Sequence, residues 1–145
     1  MVEIKIKKIK STAKIPTYES EMAAGFDLYA ADEVIVPPFQ ERTKIVPTGL
    51  KMAIPKGYEL QIRPRSGMAL KSHIIIANSP GTIDADYRGE VGILVRNTGA
   101  TNYKIDIGDR IAQGVLSKVP QAGFAEVDTL SETSRGAGAY GSTGF

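Results

Sequence analysis

An all-β domain, whether sandwich, jelly roll or barrel, is what this sequence predicts. Short β-rich runs recur between Gly and Pro punctuation, only one stretch has helical character, and no linker or internal repeat interrupts the 145 residues. A single chain of that length buries about two-thirds of its unfolded surface, so it needs no disulfide or structural metal to fold. At the start, Val2, Ile4, Ile6 and Ile9 alternate with Lys5, Lys7, Lys8 and Lys10, which reads as a half-buried strand with a solvated outer face. Further strands are predicted over Val34–Val36, Thr43–Val46, Leu50–Ile54, Tyr58–Ile62, Val91–Val95 and Tyr103–Ile107. Pro37-Pro38, Pro55-Lys56-Gly57 and Asn97-Thr98-Gly99 mark the turns between them. Ser66–His73 alone looks helical, about two turns with Ser66 as N-cap, before a strand over Ile74–Ala77.

Composition narrows the chemistry. Cysteine is absent, which excludes thiolate catalysis, Cys-ligated zinc and disulfides and fits a reducing compartment. The first residues lack the continuous apolar stretch of a signal peptide, and no apolar run approaches the roughly twenty residues of a membrane span; the expectation is a soluble, cytoplasmic protein. Five lysines, up to Lys14, face only Glu3 in the first fifteen residues, so the rest of the chain is slightly acidic and offers no basic stripe to follow a nucleic-acid backbone.

Three clusters carry chemistry. The tail from Arg135 to Phe145 combines a guanidinium, alternating glycines, the Tyr140 ring and the hydroxyls of Ser142 and Thr143 without one aliphatic side chain large enough for a core. That composition suits a flexible flap ordering over an anionic ligand that contains a base, just as it suits a plain disordered terminus. Pro64-Arg65-Ser66-Gly67 places a cation, a hydroxyl and a small residue at the first helical turn, a seat for phosphate or a simple cap. Asn78–Gly89 is rich in turn residues and carries Asp84 and Asp86. On an extended backbone the two acids point the same way, so either can activate water, and a main-chain hairpin there can read the edge of a planar base. His73, the single histidine, reads as a helix-end residue rather than a catalyst.

Five blocks then occur in one order along the whole chain: Ala24–Ala30 (AGFDLYA), Pro64–Gly67 (PRSG), Gly81–Gly89 (GTIDADYRG), Gly108–Gln113 (GDRIAQ) and Arg135–Gly144 (RGAGAYGSTG). In this they resemble the trimeric dUTPase family. The resemblance implies a β-clip, distorted jelly-roll subunit with one short helix, comprising a β core over residues 1–130 and a flexible glycine-rich flap over 131–145. It also implies a homotrimer with shared active sites that hydrolyses dUTP to dUMP and diphosphate with Mg²⁺ on the triphosphate, keeping uracil out of DNA and supplying dUMP for thymidylate synthesis. By similarity Asp84 is the base that activates water. Asn78, Thr82, Ile83 and Gly92 fall where the family reads uracil and sugar, and Tyr87 where a ring packs under the deoxyribose. Arg65, Ser66, Gly67 and Gln113 match phosphate contacts, as do Arg135, Gly141, Ser142 and Thr143, and Tyr140 matches the aromatic that closes over uracil. Asp27 in the first block is left with two readings, holding a metal-bound water or pairing with an arginine such as Arg110. The rival activities on this scaffold are a dCTP deaminase, which requires a glutamate in the strand after Asp84, and a non-catalytic nucleotide sensor. The strand from Gly92 to Asn97 carries no acid, and Asp84 and the whole flap are retained.

Overall fold

The computed structural model describes residues 1–144; Phe145, the end of the expected flap, lies outside the described residues. Ten strands and one helix follow in chain order: β1 (Lys5–Lys8), β2 (Phe26–Tyr29), β3 (Val34–Val36), β4 (Lys44–Ala53), β5 (Tyr58–Arg63), α1 (Ser66–Lys71), β6 (Ile74–Ile76), β7 (Gly81–Ile83), β8 (Glu90–Asn97), β9 (Tyr103–Ile105) and β10 (Arg110–Lys118). Two four-stranded sheets, ordered β1-β4-β8-β6 and β2-β10-β5-β7, and the pair β3-β9 are antiparallel throughout. The chain is all-β with a jelly-roll-like arrangement. Among the described residues no helix is long and apolar enough to cross a membrane.

One core joins the layers. Val46, Met52, Val91, Ile93 and Val95 from the first large sheet meet Leu28, Leu60, Ile62 and Ile111 from the second, with Val36 and Ile105 closing one end. Along β8 the alternation is clear, with Val91, Ile93, Val95 and Asn97 buried and the residues between them less so, as a strand with one covered face requires. Asn97 is the polar member of that inward row, and its amide donates to the carbonyls of Val36 and Thr101, which satisfies it away from water. Leu28 has no solvent exposure. Leu28→Ala is expected to cost about 2–5 kcal/mol by leaving a void at the layer interface, measurable as a drop in the denaturant midpoint.

Several elements differ from expectation. The runs expected over Thr43–Val46 and Leu50–Ile54 belong to one strand, because Pro47-Thr48-Gly49 between them makes a bulge: the register on β8 jumps between Pro47 and Lys51. Gly49 sits at φ +67°, its amide donates to the Glu90 carboxylate, and the Thr48 hydroxyl donates to the Val91 carbonyl. A glycine is needed there, since a Cβ would lie 2.7 Å from that of Ala13 in a backbone region side chains avoid. The first strand is shorter than its lysine alternation, and β2, β7 and β10 had no run of their own in the sequence reading. Strand structure ends at Lys118; residues 119–144 carry neither strand nor helix.

Candidate active site

The Asp84 block is a crossover, not a hairpin. β7 pairs with β5 in the second large sheet, whereas β8 pairs with β4 and β6 in the first, so residues 84–89 carry the chain between layers. Asp84 follows β7 directly and opens a tight turn closed by the Tyr87 amide on the Asp84 carbonyl at 3.1 Å. The Arg88 guanidinium clips the same turn, donating to the carbonyls of Ala85 and Tyr87. Because Asp86 sits inside the turn, the two acids do not share one face of an extended strand as expected; both nonetheless line one concavity. That space of about 680 Å³ is walled by Thr82, Asp84 and Asp86 on one side and by Tyr58, Glu59 and Val119 on the other. The Asp84 carboxylate is exposed and, among the described residues, no cation or side-chain donor engages it.

A second concavity, of about 300 Å³, is lined by Arg65, Gly67, Lys71, Tyr103, Asp109 and Arg110, and shares no residue with the first. Its cations are held from below. Asp27 on β2, only 7% exposed, accepts from Arg65 Nε at 2.7 Å and from Arg110 Nη1 at 3.3 Å. Ion pairing with guanidinium groups is thus the state of the Asp27 carboxylate here, through two arginines rather than one. Gln113, opposite Asp27 and Arg63 in the two registers of β10, donates from Nε2 to the Pro64 carbonyl at 2.9 Å, tying the PRSG segment to the sheet. Its other end, Oε1, occupies the space where Gly25 has no side chain.

Ser66 is not the N-cap. Arg65 takes that position with an extended backbone (φ −90°, ψ 138°), its carbonyl accepts the first helical bond from Ala69, and no side chain caps the helix. The physical reason is the Asp27 pair, which draws the Arg65 side chain back to β2 and leaves Arg65 as the last extended residue. Ser66 is the first helical residue, exposed beside Gly67.

The remaining expected residues are placed as follows. Thr82 joins Asp84 at the first concavity; Ile83, opposite Leu60, is half-buried; Asn78 precedes β7 with its amide nitrogen 3.1 Å from where a Gly81 Cβ would stand. Gly92 lies mid-β8 opposite Pro47, where a side chain would press on Ile45. Neither concavity takes Asn78, Ile83, Tyr87, Gly92 or Gln113 as a wall. In the tail, Arg135 Nε donates to the Gly138 carbonyl, the Gly138 amide returns to the Arg135 carbonyl, and the Gly141 carbonyl accepts from the Gly144 amide in a further local turn. Tyr140 is fully exposed, Ser142 and Thr143 are exposed, and the hydrogen bonds of residues 131–144 run within the segment.

Lys71, Tyr103 and Asp109 were not legible as site residues; Lys71 in the last turn of a short helix looks like an ordinary solvated end. The deaminase comparison also needs correcting. β8 begins at Glu90, so the strand after Asp84 does carry an acid, but one Glu90 oxygen is engaged by the Gly49 amide at 2.8 Å.

Comparison with known proteins agrees with this arrangement. The sequence model of the dUTPase family matches residues 11–144. The deoxyuridine 5'-triphosphate nucleotidohydrolase of Wolinella succinogenes is 50% identical over 99% of this chain and 95% of its own length, and that of Syntrophotalea carbinolica is 51% identical over 99% and 98%. The structure of the Staphylococcus bacteriophage 80alpha dUTPase with dUpNHpp superimposes with a TM-score of 0.91 at 26% identity, covering 99% of both chains. Taken with the five blocks and their placement on the sheets, a match across nearly the full length means that this chain belongs to the dUTPase family.

Proposed function

We propose that the chain hydrolyses dUTP to dUMP and diphosphate, with Asp84 as the general base. The observation that carries the assignment is the Asp84 carboxylate, exposed at a concavity and free of any cation among the described residues, so that it is available to take a proton. Asp84 accepts that proton from a water, whose oxygen forms the new bond to the α-phosphorus. The bond from that phosphorus to the bridging oxygen breaks, and its electron pair leaves with the diphosphate. Arg65 and Arg135 neutralise the charge that grows on the leaving group, and backbone amides of Gly67 and Gly141 with the hydroxyls of Ser66, Ser142 and Thr143 orient the phosphate oxygens. Uracil and sugar are read by the segment from Asn78 to Gly92, mainly through its backbone, with Tyr87 under the deoxyribose and Tyr140 stacked on the base. A pocket tight at C5 excludes thymine, and the ring under the sugar leaves no room for a 2′-hydroxyl.

Mg²⁺ would enter on the substrate, held by triphosphate oxygens and waters, as a hard cation that prefers oxygen ligands. When bound it offsets the negative charge of the triphosphate. In this reading Asp27, through the lone pairs its arginines leave, would accept a hydrogen bond from a metal-bound water.

Two features support a homotrimer with shared sites: Thr82 and Asp84 line one concavity while Arg65 and Gly67 line another, and the tail makes its hydrogen bonds within itself. Mixing Asp84→Asn chains with chains truncated before Arg135 is therefore expected to restore part of the activity after subunit exchange. A monomer fully active in light scattering coupled to an enzyme assay contradicts this assembly. The function itself is tested by giving the pure protein each deoxynucleoside triphosphate with Mg²⁺ and measuring diphosphate and monophosphate. Turnover confined to dUTP is expected; deamination of dCTP, or binding without hydrolysis, overturns the assignment.

A further inference from the structure

Gly89 has no side chain because another residue occupies its place. A Cβ built there falls onto the Tyr87 ring, 2.5 Å from Cζ and 2.9 Å from Cε2, and closest of all to the phenol oxygen. The same phenol donates to the Glu90 carbonyl at 2.9 Å, so the ring folds back across residue 89 and is pinned at its far end. The inner end is pinned too, by the Tyr87 amide on the Asp84 carbonyl and by the Arg88 guanidinium on the Tyr87 carbonyl. Such tethering is unusual for a ring 43% exposed to solvent, which in isolation would sample several rotamers.

We propose that Gly89 is a positioning residue for sugar selection: by leaving its volume to the Tyr87 phenol it fixes the tilt of the ring against the Glu90 carbonyl. The inference rests on the proposed function, in which Tyr87 packs under the deoxyribose. The three atoms that a methyl group at position 89 would meet first all belong to the Tyr87 phenol, a side chain that can turn away once its bond to the Glu90 carbonyl breaks, so the ring is the part that yields. Displaced, the ring no longer closes the space beside C2′, and a ribonucleotide fits where it did not.

The test measures kcat/KM for dUTP and UTP in the wild type, Gly89→Ala, Tyr87→Ala and the double variant. Gly89→Ala is expected to lower the dUTP-to-UTP ratio roughly tenfold with an unchanged melting temperature, a part of the roughly 100-fold by which shape discriminates one added hydroxyl. In the Tyr87→Ala background the ring is gone, so Gly89→Ala should change the ratio no further; an additional, additive loss shows that Gly89 acts independently and overturns the proposal, as does an unaltered ratio in the single variant. Tyr87 ring resonances in tyrosine-labelled protein, assigned by their loss in Tyr87→Ala, give a readout without turnover and are expected to shift in Gly89→Ala. If the wild type leaves dUTP intact, the proposed function fails, while resonances that stay unmoved refute the Gly89 coupling on their own. Should Gly89→Ala misfold, Tyr87→Phe examines the tether from its other end: the freed ring is expected to lower the ratio severalfold, and wild-type selectivity there refutes the proposal.

Discussion

Replacing Asp84 by Asn is expected to slow dUTP hydrolysis by at least about 100-fold, the usual effect of removing a general base, while a non-hydrolysable dUTP analogue still binds. The amide is nearly isosteric with the carboxylate and the turn that holds it is closed by backbone, through the Tyr87 amide, so little else should change. Single-turnover kinetics and analogue titration separate the two effects. Turnover within a few-fold of the wild type rejects Asp84 as the base. Asp86→Asn is the companion variant. It lines the same concavity from inside the turn, and its substitution should act on folding rather than on the chemical step.

Deleting the chain from Arg135 onward should reduce activity by orders of magnitude and leave the melting temperature of the ligand-free protein nearly unchanged. The described residues of the segment are exposed or half-buried and bond among themselves, so the core loses nothing when they go. Substrate, in contrast, loses a guanidinium for its phosphates and the cover that keeps bulk water out. Tyr140→Phe against Tyr140→Ala resolves how the ring works: stacking predicts a near-silent first variant and a second that weakens substrate capture by about 1–3 kcal/mol. A phenylalanine as damaging as alanine assigns the role to the hydroxyl, and a tailless enzyme with full activity removes the flap from the mechanism.

The strands legible in the sequence were short β-rich runs bounded by turn residues. Val91–Val95 and Tyr58–Ile62 stand out because their burial alternates cleanly. β10 was hidden because Ala112 and Gly114 give it no hydrophobic run, and its irregular register between Arg110 and Ala112 breaks the period of two. β7 was hidden within turn residues, since three residues with a glycine gain strand character only by pairing with β5. Pro47-Thr48-Gly49 separates the two runs read from the sequence and is a bulge within one strand, whose Gly49 amide is held by the Glu90 carboxylate forty-one positions away. Similarly, Ser66 lost the cap to Arg65 through a partner on β2 that no local pattern reveals. The chemistry-bearing blocks were readable as composition; which of them share a wall, Thr82 with Asp84 and Arg65 with Gly67, was not, because that depends on how the layers stack.

Asp27 beneath Arg65 and Arg110 means that the cationic wall carries its own counter-ion on the inner side. Two guanidinium groups can then stand close together before any ligand arrives, since the repulsion between them is offset by a nearly buried carboxylate that salt in solution screens poorly. One positive charge remains uncompensated in this trio. A polyanion approaching the wall therefore meets arginines already oriented, and neither a bound chloride nor a rotamer search stands between encounter and capture. The cluster behaves less like a trap that snaps shut than like a fixed electrode whose potential the fold has set in advance.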